Sequence, residues 1–331
     1  MPSPENAPTD PSAGPDAGSP TSPGAQMCKP KALAGRFVET EVKCGDPANV
    51  AAFGVNIAEN AATSFAIKRL RDSAAAATAT ATMTEQATGS TPWRPKKPAG
   101  TNPGEAFTFQ VSADGVSAAS GNSFTFKEFP DYGPDTKTYA CTSGVFGWTG
   151  KHDIKHGADK VVVTVKIKLI NRLGAKPDPG VALPAIGDPV SDADKTAMKT
   201  DVEAKYAGKF KMKRHACGFG VACTCVKPIQ IVVEFVEADA HHDVNLFQGP
   251  GRANASNWTR VKTRDNSWAH ETGHLLGFYD EYTGGAVGAA PRWKPNEPAN
   301  VMNVGLGVPP EYAWDFRDWF AEKTGESWDV S

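Results

Sequence analysis

The sequence predicts an α+β domain over residues 129–331, preceded by a small all-β, sandwich-like domain over residues 31–128 and a disordered tail over residues 1–30. Three observations predict this organisation: a change of composition at about residue 30, a series of short alternating runs after it, and strong strands followed by helices towards the end. The chain has 331 residues, of which 40% are hydrophobic and 22% charged, which suits one to three domains with buried cores.

The tail is rich in Pro, Ser, Gly, Ala and Asp. A segment of this composition cannot bury enough apolar surface to order itself, so we expect disorder. It also has no basic segment followed by an apolar stretch, so it is no ordinary secretory signal. We therefore expect that the protein stays in the cell, leaves it by another route, or is recorded without its leader.

The sandwich-like domain is predicted from runs that alternate apolar and polar residues. They are RFVETEVKC, SFAIKRL, ATATATM, EAFTFQVSA and NSFTFKEF, and turn-type clusters such as CGDP, TGSTP and ADG separate them. Short alternating runs at this spacing are typical of a small antiparallel sandwich. No cluster of chemically active residues lies in this region, so we expect a role in binding, spacing or delivery.

The following domain begins with strands and continues with helices. VVVTVKIKLI (161–170) and IQIVVEFVEA (229–238) are apolar enough for buried strands. Helices are predicted over 191–210, 267–277 and 310–325. Strands and helices in this order favour an α+β fold.

Charge and cysteine content restrict the class of protein. The formal net charge of -2 gives no sign of a nucleic acid or an acidic membrane surface as partner, and no apolar run is long enough for a membrane span. The six cysteines, an even number, favour disulfides and an oxidising destination. The alternative is a thiolate metal site in the cluster CGFGVACTC, formed by Cys217, Cys223 and Cys225.

The segment SWAHETGHLLGFYDEY (267–282) combines two histidines with two glutamates and one aspartate. In a helix, His274 lies about 40° from His270 around the axis, so both imidazoles share one face while the apolar residues occupy the other. Two histidines at i and i+4 can bind one zinc ion. Glu271 lies at the edge of that face and could take a proton from water. The alternative is a polar surface helix without a metal.

Residues downstream extend the pattern. Gly277 can end the helix, Asp280 can provide an oxygen ligand after the turn, and Met302 lies in a short apolar turn. HETGHLLGFYD with this methionine resembles the metzincin signature H-E-x-x-H-x-x-G-x-x-H/D followed by a Met-turn. The resemblance covers residues 270–280 and Met302. It departs from the common pattern in having Asp as the third ligand and no Tyr close behind Met302.

The resemblance implies an α+β metzincin-like catalytic domain that binds Zn2+ through His270, His274 and Asp280. It implies Glu271 as general base and Met302 as the packing floor beneath the metal. The family activity would be zinc-dependent endopeptidase chemistry, with zinc-bound water attacking a peptide carbonyl. Two other functions stay open: a zinc amidase or peptidase that acts on peptidoglycan as an antibacterial effector, and a non-enzymatic secreted binding protein with a structural zinc.

The region 140–331 is similar, more loosely, to HExxH proteins associated with bacterial type VI and contractile injection secretion. The similarity is in the Cys-rich segment, in Arg252, Asn254 and Trp258, and in HETGHLLGFYDEY. It implies export without a Sec signal, from the cytoplasm, with a secretion-system carrier as a partner. The substrate would be a protein or a peptide, bound between a strand edge at about 229–247 and the metal-binding helix.

Several further residues are candidates with two readings each. Glu281 could replace Asp280 as third ligand or support a loop. Tyr282 could stabilise an oxyanion or only pack its ring. Arg252 could grip a substrate carbonyl or carboxylate, or form a structural salt bridge.

Four histidines and two cysteines complete the set of candidates. His241 and His242 either contact substrate or are solvated at a strand end, and His152 and His156 are expected in a surface loop. A thiolate of Cys28 or Cys44 could fill the open zinc position as a latency switch.

Overall fold

The computed structural model describes residues 31–331 except 85, 87, 96–103, 158, 219–225, 263 and 295. The predicted disordered tail, Cys28, Cys223 and Cys225 therefore lie outside the described residues, and the predicted disulfides stay a prediction. The described residues contain three α-helices against seventeen strands. No helix among them has the length and apolar character needed to cross a membrane.

The first nine strands build two sheets that share one core. They are β1 (Ala32–Phe37), β2 (Glu41–Val42), β3 (Ala48–Val55), β4 (Ala62–Arg69), β5 (Ala75–Thr82), β6 (Thr88–Trp93), β7 (Ala106–Ala113), β8 (Val116–Ala119) and β9 (Phe124–Phe126). One sheet has the order β1-β3-β6, and the other has the order β2-β9-β7-β4-β5 with β8 paired to β7. Every pair is antiparallel except β2 with β9.

A phenylalanine-rich core joins these two sheets. Phe37 packs its ring edge against Phe109 at 4.8 Å between centroids, and Phe124 lies 5.5 Å from Phe37. The strands β1 and β7 come close because Gly35 has no side chain: a Cβ there would lie 2.5 Å from the Phe109 ring. The sheets also meet where β1 contacts β8 and where β5 contacts β6. They therefore curl around one core instead of lying as two flat layers.

The remaining strands form a single eight-stranded sheet. They are β10 (Tyr132–Ser143), β11 (Phe146–Gly157), β12 (Lys160–Arg172), β13 (Phe210–Arg214), β14 (Val226–Phe235), β15 (His242–Phe247), β16 (Asn257–Thr259) and β17 (Trp328–Val330). The order is β10-β11-β12-β14-β13-β17, and β15 joins β12 to β16. In β12 every second side chain is buried, from Val161 to Leu169, which follows directly from its alternating sequence.

Three helices accompany this sheet: α1 (Asp192–Tyr206), α2 (Ser267–Leu275) and α3 (Trp314–Thr324), the last preceded by a 3-10 turn at Pro310–Ala313. The hydroxyl of Ser191 caps α1 by accepting from the amide of Asp194 at 3.2 Å. α1 packs on β14 and on α2. α2 is attached to the sheet through α1 and by its own contact with β11.

The sheet branches at β12. β14 and β15 both pair with Ile167, so they lie on opposite edges of β12, and β15 occupies the edge that β11 leaves after Asp153 pairs with Thr164. The β10–β11 hairpin thus departs from the sheet and crosses the end of α2. At the crossing a Cβ on Gly150 would lie only 2.6 Å from the Cα of Gly277. The two backbones approach this closely because position 150 has no side chain.

The predicted fold class, an α+β metzincin-like catalytic domain behind a small sandwich, is wrong, because strands dominate the described structure throughout. The three expected helices are present, but the hairpin at 132–157 and the curled sheets outweigh them. The surface loop expected for His152 and His156 is also wrong, because both residues lie in strand β11. The alternation in KHDIKHG places both imidazoles with Ile154 on the buried face of β11.

The glycine crossing predicts a strong size limit at position 150. Gly150→Ala would force a methyl group against the backbone of Gly277, which cannot move aside as a flexible side chain could, so we expect a loss of at least about 2 kcal/mol in the free energy of unfolding. Gly147→Ala, in the same strand, is the control: its nearest neighbour lies at 3.9 Å, and we expect a change within about 0.5 kcal/mol. Urea denaturation measures both. Equal effects of the two substitutions would contradict the crossing.

Candidate metal centre

Helix α2 is attached at its first residue to a loop 35 residues further along the chain. The buried side-chain amide of Asn266 lies within hydrogen-bond distance of three carbonyl oxygens, those of Val301 at 3.0 Å, Asn303 at 3.2 Å and Gly305 at 2.9 Å. Each amide hydrogen therefore has an acceptor in the loop. The start of α2 and the segment 301–305 hold each other in place.

The two histidines of α2 are fixed through the nitrogen that faces the protein interior. Nδ1 of His270 lies 2.9 Å from the carbonyl oxygen of Val301, and Nδ1 of His274 lies 2.8 Å from that of Phe278. A carbonyl oxygen can only accept, so each Nδ1 carries the proton and donates it. In the neutral rings, Nε2 is then left with an unprotonated lone pair.

Asp280 meets both of these lone pairs after the chain turns at Gly277, which has φ +95°. Its Oδ1 lies 3.1 Å from Nε2 of His270 and 3.3 Å from Nε2 of His274, while its Oδ2 accepts from the amide of Ala286 at 2.7 Å. Burial raises the pKa of Asp280, whereas an imidazole protonated at Nε2 would donate to Oδ1 and hold that pKa well below its ordinary range.

Three acceptor atoms therefore converge on one point, and among the described residues these three are the group suited to a metal ion. Lone pairs so close repel one another unless a cation lies between them. Ligand atoms on a tetrahedral zinc are about 3.3 Å apart, since each bond is about 2.0–2.1 Å long. The two distances to Asp280 match that spacing. Three protein ligands on zinc leave one position open, which is the pattern of catalytic sites.

Glu271 follows His270 directly and is almost completely buried, with 6% of its surface exposed. Its Oε2 has no hydrogen-bond partner among the described residues. Burial raises the pKa of Glu271 to about 7, although the nearby His270 opposes this effect. A buried carboxylate without a donor is costly unless something else occupies its free oxygen.

The side of α2 next to His270 rests on Met302 and Tyr206. Both are buried, and a Cβ on Gly273 would lie 2.4 Å from Sδ of Met302 and 3.2 Å from the hydroxyl oxygen of Tyr206. That hydroxyl donates to the carbonyl oxygen of Ala269 at 2.8 Å. Only glycine at position 273 lets the methionine and the tyrosine approach the helix this closely.

Glu281 does not face the metal ligands. It is fully buried, and its Oε1 accepts from the amide of Lys294 at 2.9 Å. Its Oε2 accepts from the Asn300 side chain at 2.7 Å and from the Tyr312 hydroxyl at 2.8 Å. The carboxylate thus holds the loop that follows Asp280 to the 3-10 turn, and the structure places Asp280, not Glu281, beside the histidines.

Two cavities meet at His270 and Glu271 and form a cleft. The larger, of about 480 Å³, lies towards the start of α2, and the smaller, of about 380 Å³, lies towards its end. Arg252, Ala253 and Tyr282 line both. The wall opposite α2 is the segment 252–257, which leads into β16. The predicted strand edge at 229–247 lines neither cavity: β15 lies one strand beyond β16, and β14 lies on the other side of β12.

Two predicted residues of the cleft bind each other. Nη2 of Arg252 donates to the Tyr282 hydroxyl at 3.0 Å, and the Tyr282 ring lies 6.2 Å from that of His270. The salt bridge considered for Arg252 is absent among the described residues. His241 and His242 lie away from the cleft: the first accepts from the amide of Lys166 at 3.1 Å, and Nε2 of the second lies 2.8 Å from the carbonyl oxygen of Lys151.

Two cleft residues were missed by the sequence analysis. The indole of Trp148 donates to the carbonyl oxygen of His274 at 2.9 Å, and its ring meets the His274 ring edge-on at 5.2 Å. Lys176 lines the smaller cavity and donates to the carbonyl oxygen of Arg252 at 2.7 Å. Trp148 lies more than a hundred residues before α2, and Lys176 lies in a loop without a regular pattern. No spacing in the sequence could therefore link either residue to the cleft.

Comparison with protein-family models and with curated proteins finds no match to this sequence. Among solved structures, a similarity is found to the β-glucuronidase of Bifidobacterium dentium in complex with coumarin-3-O-glucuronide, at 14% identity and a TM-score of 0.20. The match covers 41% of this chain and 21% of the glucuronidase, about a fifth of that protein's length. A likeness of this size carries no argument about fold or function.

The geometry predicts different consequences for the two neighbouring carboxylates. Asp280→Ala removes one of three ligands, so we expect zinc affinity to fall by at least about a hundredfold with the fold retained. Glu281→Gln leaves the ligands intact but weakens charge-assisted hydrogen bonds, so we expect nearly unchanged zinc affinity and a loss of about 1.5–3 kcal/mol in the free energy of unfolding. Competitive zinc titration and urea denaturation measure these effects. If Glu281→Gln lost zinc affinity and Asp280→Ala kept it, Glu281 would be the ligand.

Proposed function

We propose that the protein is a zinc-dependent peptidase in which His270, His274 and Asp280 bind the metal and Glu271 is the general base. The observation that carries this proposal is the convergence of three acceptor atoms without a donor between them, beside a buried carboxylate whose Oε2 has no partner. The pattern HETGHLLGFYD, which resembles the metzincin signature, supports the same assignment although the fold class it implied is wrong.

A bound Zn2+ would supply a Lewis acid that polarises a carbonyl and lowers the pKa of water. Glu271 has the position and the free oxygen to accept the proton of the attacking water and to deliver it to the leaving amine. The carbonyls of Val301 and Phe278 keep both imidazoles in the tautomer that presents Nε2 to the cleft. The enclosure of Glu271 excludes bulk water from the proton that it transfers.

Tyr282 is suited to stabilise the oxygen of the scissile carbonyl. Arg252 donates to its hydroxyl oxygen, so the hydroxyl proton is free to point elsewhere, into the cleft that both residues line. The guanidinium also favours negative charge on the tyrosine oxygen and on any oxyanion nearby. Tyr282 and Arg252 thus form one unit for binding the reacting carbonyl.

An extended peptide suits the cleft. The two cavities meet at Glu271, so a chain that crosses the cleft has room on both sides of the reacting bond. The far edge of β16 is already engaged, because Asn257 exchanges two backbone hydrogen bonds with Asn254 and the carbonyl of Thr259 accepts from Trp268. A structural zinc site would need a fourth protein ligand, and the described residues offer three. The room on both sides of the reacting bond and the set of three ligands favour a peptidase over a zinc-stabilised binding protein.

The proposal is tested with Glu271→Gln beside the unaltered protein. We expect about one zinc ion per chain in both by elemental analysis, and a loss of at least about a hundredfold in hydrolysis of an unstructured protein in the variant. Glu237→Gln is the control, since Glu237 is an exposed carboxylate paired with Lys195. It should keep full activity.

Three outcomes would contradict the proposal in different ways. Zinc in the unaltered protein with no hydrolysis of protein or peptidoglycan would indicate a structural metal. Release of soluble muropeptides with proteins left intact would indicate a cell-wall hydrolase. Absence of zinc after reconstitution would remove the metal centre itself.

A further inference from the structure

The larger cavity of the cleft contains two arginines that have no carboxylate partner. Arg252 and Arg264 both line it, and neither forms an ion pair with any residue that the structure describes. Six other described arginines do pair with a carboxylate: Arg69, Arg71, Arg214, Arg260, Arg292 and Arg317. Three more lack such a partner among the described residues but lie outside both cavities, on a ring or on carbonyl and amide oxygens: Arg36, Arg94 and Arg172. Arg252 and Arg264 are the two that share one cavity beside the metal centre.

Both arginines are attached to fixed backbone. The amide of Arg264 donates to the Ser267 hydroxyl at 3.0 Å, and that hydroxyl donates back to the carbonyl of Arg264 at 2.9 Å, in the first turn of α2. The carbonyl of Arg252 accepts from Lys176 at 2.7 Å. The main chain at each position is therefore held. Arg252 uses one guanidinium donor on Tyr282, which leaves donors on both side chains for a ligand.

The charge of this cavity is not neutralised by its own lining. Glu271 is the single carboxylate among the residues that line it, and Asn266, Ser267, Asn303 and Tyr282 are uncharged. Even with Glu271 ionised, the two guanidiniums leave the lining with a net positive charge. A guanidinium binds a carboxylate with two parallel hydrogen bonds, so an anionic group of the substrate is the partner that fits.

We propose that this cavity is the specificity subsite of the peptidase and that it binds a carboxylate of the substrate next to the scissile bond. This inference rests on the proposed function, since it assigns the cavity a place beside the reacting carbonyl. The carboxylate can come from an aspartate or glutamate side chain or from the free end of a peptide. Arg264 binds it from the start of α2, and Arg252 binds it from the opposite wall, so the two arginines select the substrate.

Peptide binding tests the subsite without relying on turnover. The probes are short alanine-rich peptides with a fluorescent label and blocked ends, identical except for a central Glu or Gln, and a third Gln peptide whose C-terminus is free. Their dissociation constants are measured by fluorescence anisotropy on zinc-loaded Glu271→Gln protein. We expect the Glu peptide to bind at least about tenfold more tightly than the blocked Gln peptide. Tighter binding of the third peptide alone would assign the subsite to a terminal carboxylate.

Single substitutions then assign the preference to the two arginines. Arg264→Gln, added to Glu271→Gln, should weaken binding of the preferred peptide by at least about fivefold and leave the blocked Gln peptide within about twofold. Arg252→Gln, added in the same way, should weaken both peptides, because Arg252 also acts on the reacting carbonyl through Tyr282, and should weaken the preferred peptide more. Arg36→Gln is the matched control, because Arg36 is an exposed arginine of β1 whose guanidinium lies over the Phe53 ring, far along the chain from the cleft. It should change neither peptide.

The outcomes separate this inference from the proposed function. Equal binding of all three peptides, or a preference that survives both arginine substitutions, would overturn the subsite. If the unaltered protein still cleaves proteins in that case, the peptidase proposal stands without it. If the preference is found but the unaltered protein cleaves nothing, the cavity binds carboxylates and the proposed chemistry fails.

Discussion

The confinement of three hydrogen-bond acceptors to one small buried space is the constraint on which the centre of this molecule depends. His270, His274 and Asp280 would relieve their repulsion at once if either ring could turn over and donate to the carboxylate. The carbonyls of Val301 and Phe278 prevent this by engaging both Nδ1 protons. The amide of Ala286 fixes the carboxylate in the same way. Backbone hydrogen bonds thus hold an arrangement of acceptors whose repulsion only a cation or a proton can relieve.

The loops around this arrangement are ordered by a second layer of buried polar contacts. The side chain of Asn266 donates to carbonyls of the segment 301–305. The carboxylate of Glu281 accepts from Lys294, Asn300 and Tyr312. Each partner would be left unsatisfied if the loop moved, and an unsatisfied buried polar group costs about 1–3 kcal/mol. These contacts hold the segment 300–305 in one conformation although it has almost no regular structure. The carbonyl of Val301, which orients His270, belongs to this segment.

The sequence indicated which side chains would lie together better than it indicated the fold around them. HETGHLLGFYD contains the helical spacing of His270 and His274, the helix end at Gly277 and the carboxylate of Asp280 within eleven residues, so their proximity could be expected from local geometry. Their roles on a metal stay a proposal. The fold class failed because the hairpin at 132–157 has a mixed pattern: its histidines read as polar, yet His152 is fully buried beside aromatic rings. Trp148 and Lys176 lie at the cleft because the sheet branches at β12. Which distant strands pair with each other cannot be read from the periodicity of either strand.

The branch at β12 separates the part of the molecule that must stay fixed from a part that is free to vary. The outer half of the β10–β11 hairpin forms one wall of the cleft, but it takes no part in the pairing of β12 with β14 and β15. Its tip is held to the rest by the contact of Ser143 with the carbonyl of Val287, while Val145 is almost fully exposed. Changes in the length or composition of residues 143–146 would reshape this wall of the cleft, whereas Trp148 has to stay because it donates to the carbonyl of His274 and packs against its ring. Variation in what the cleft accepts is therefore expected at this tip before any other part of the hairpin.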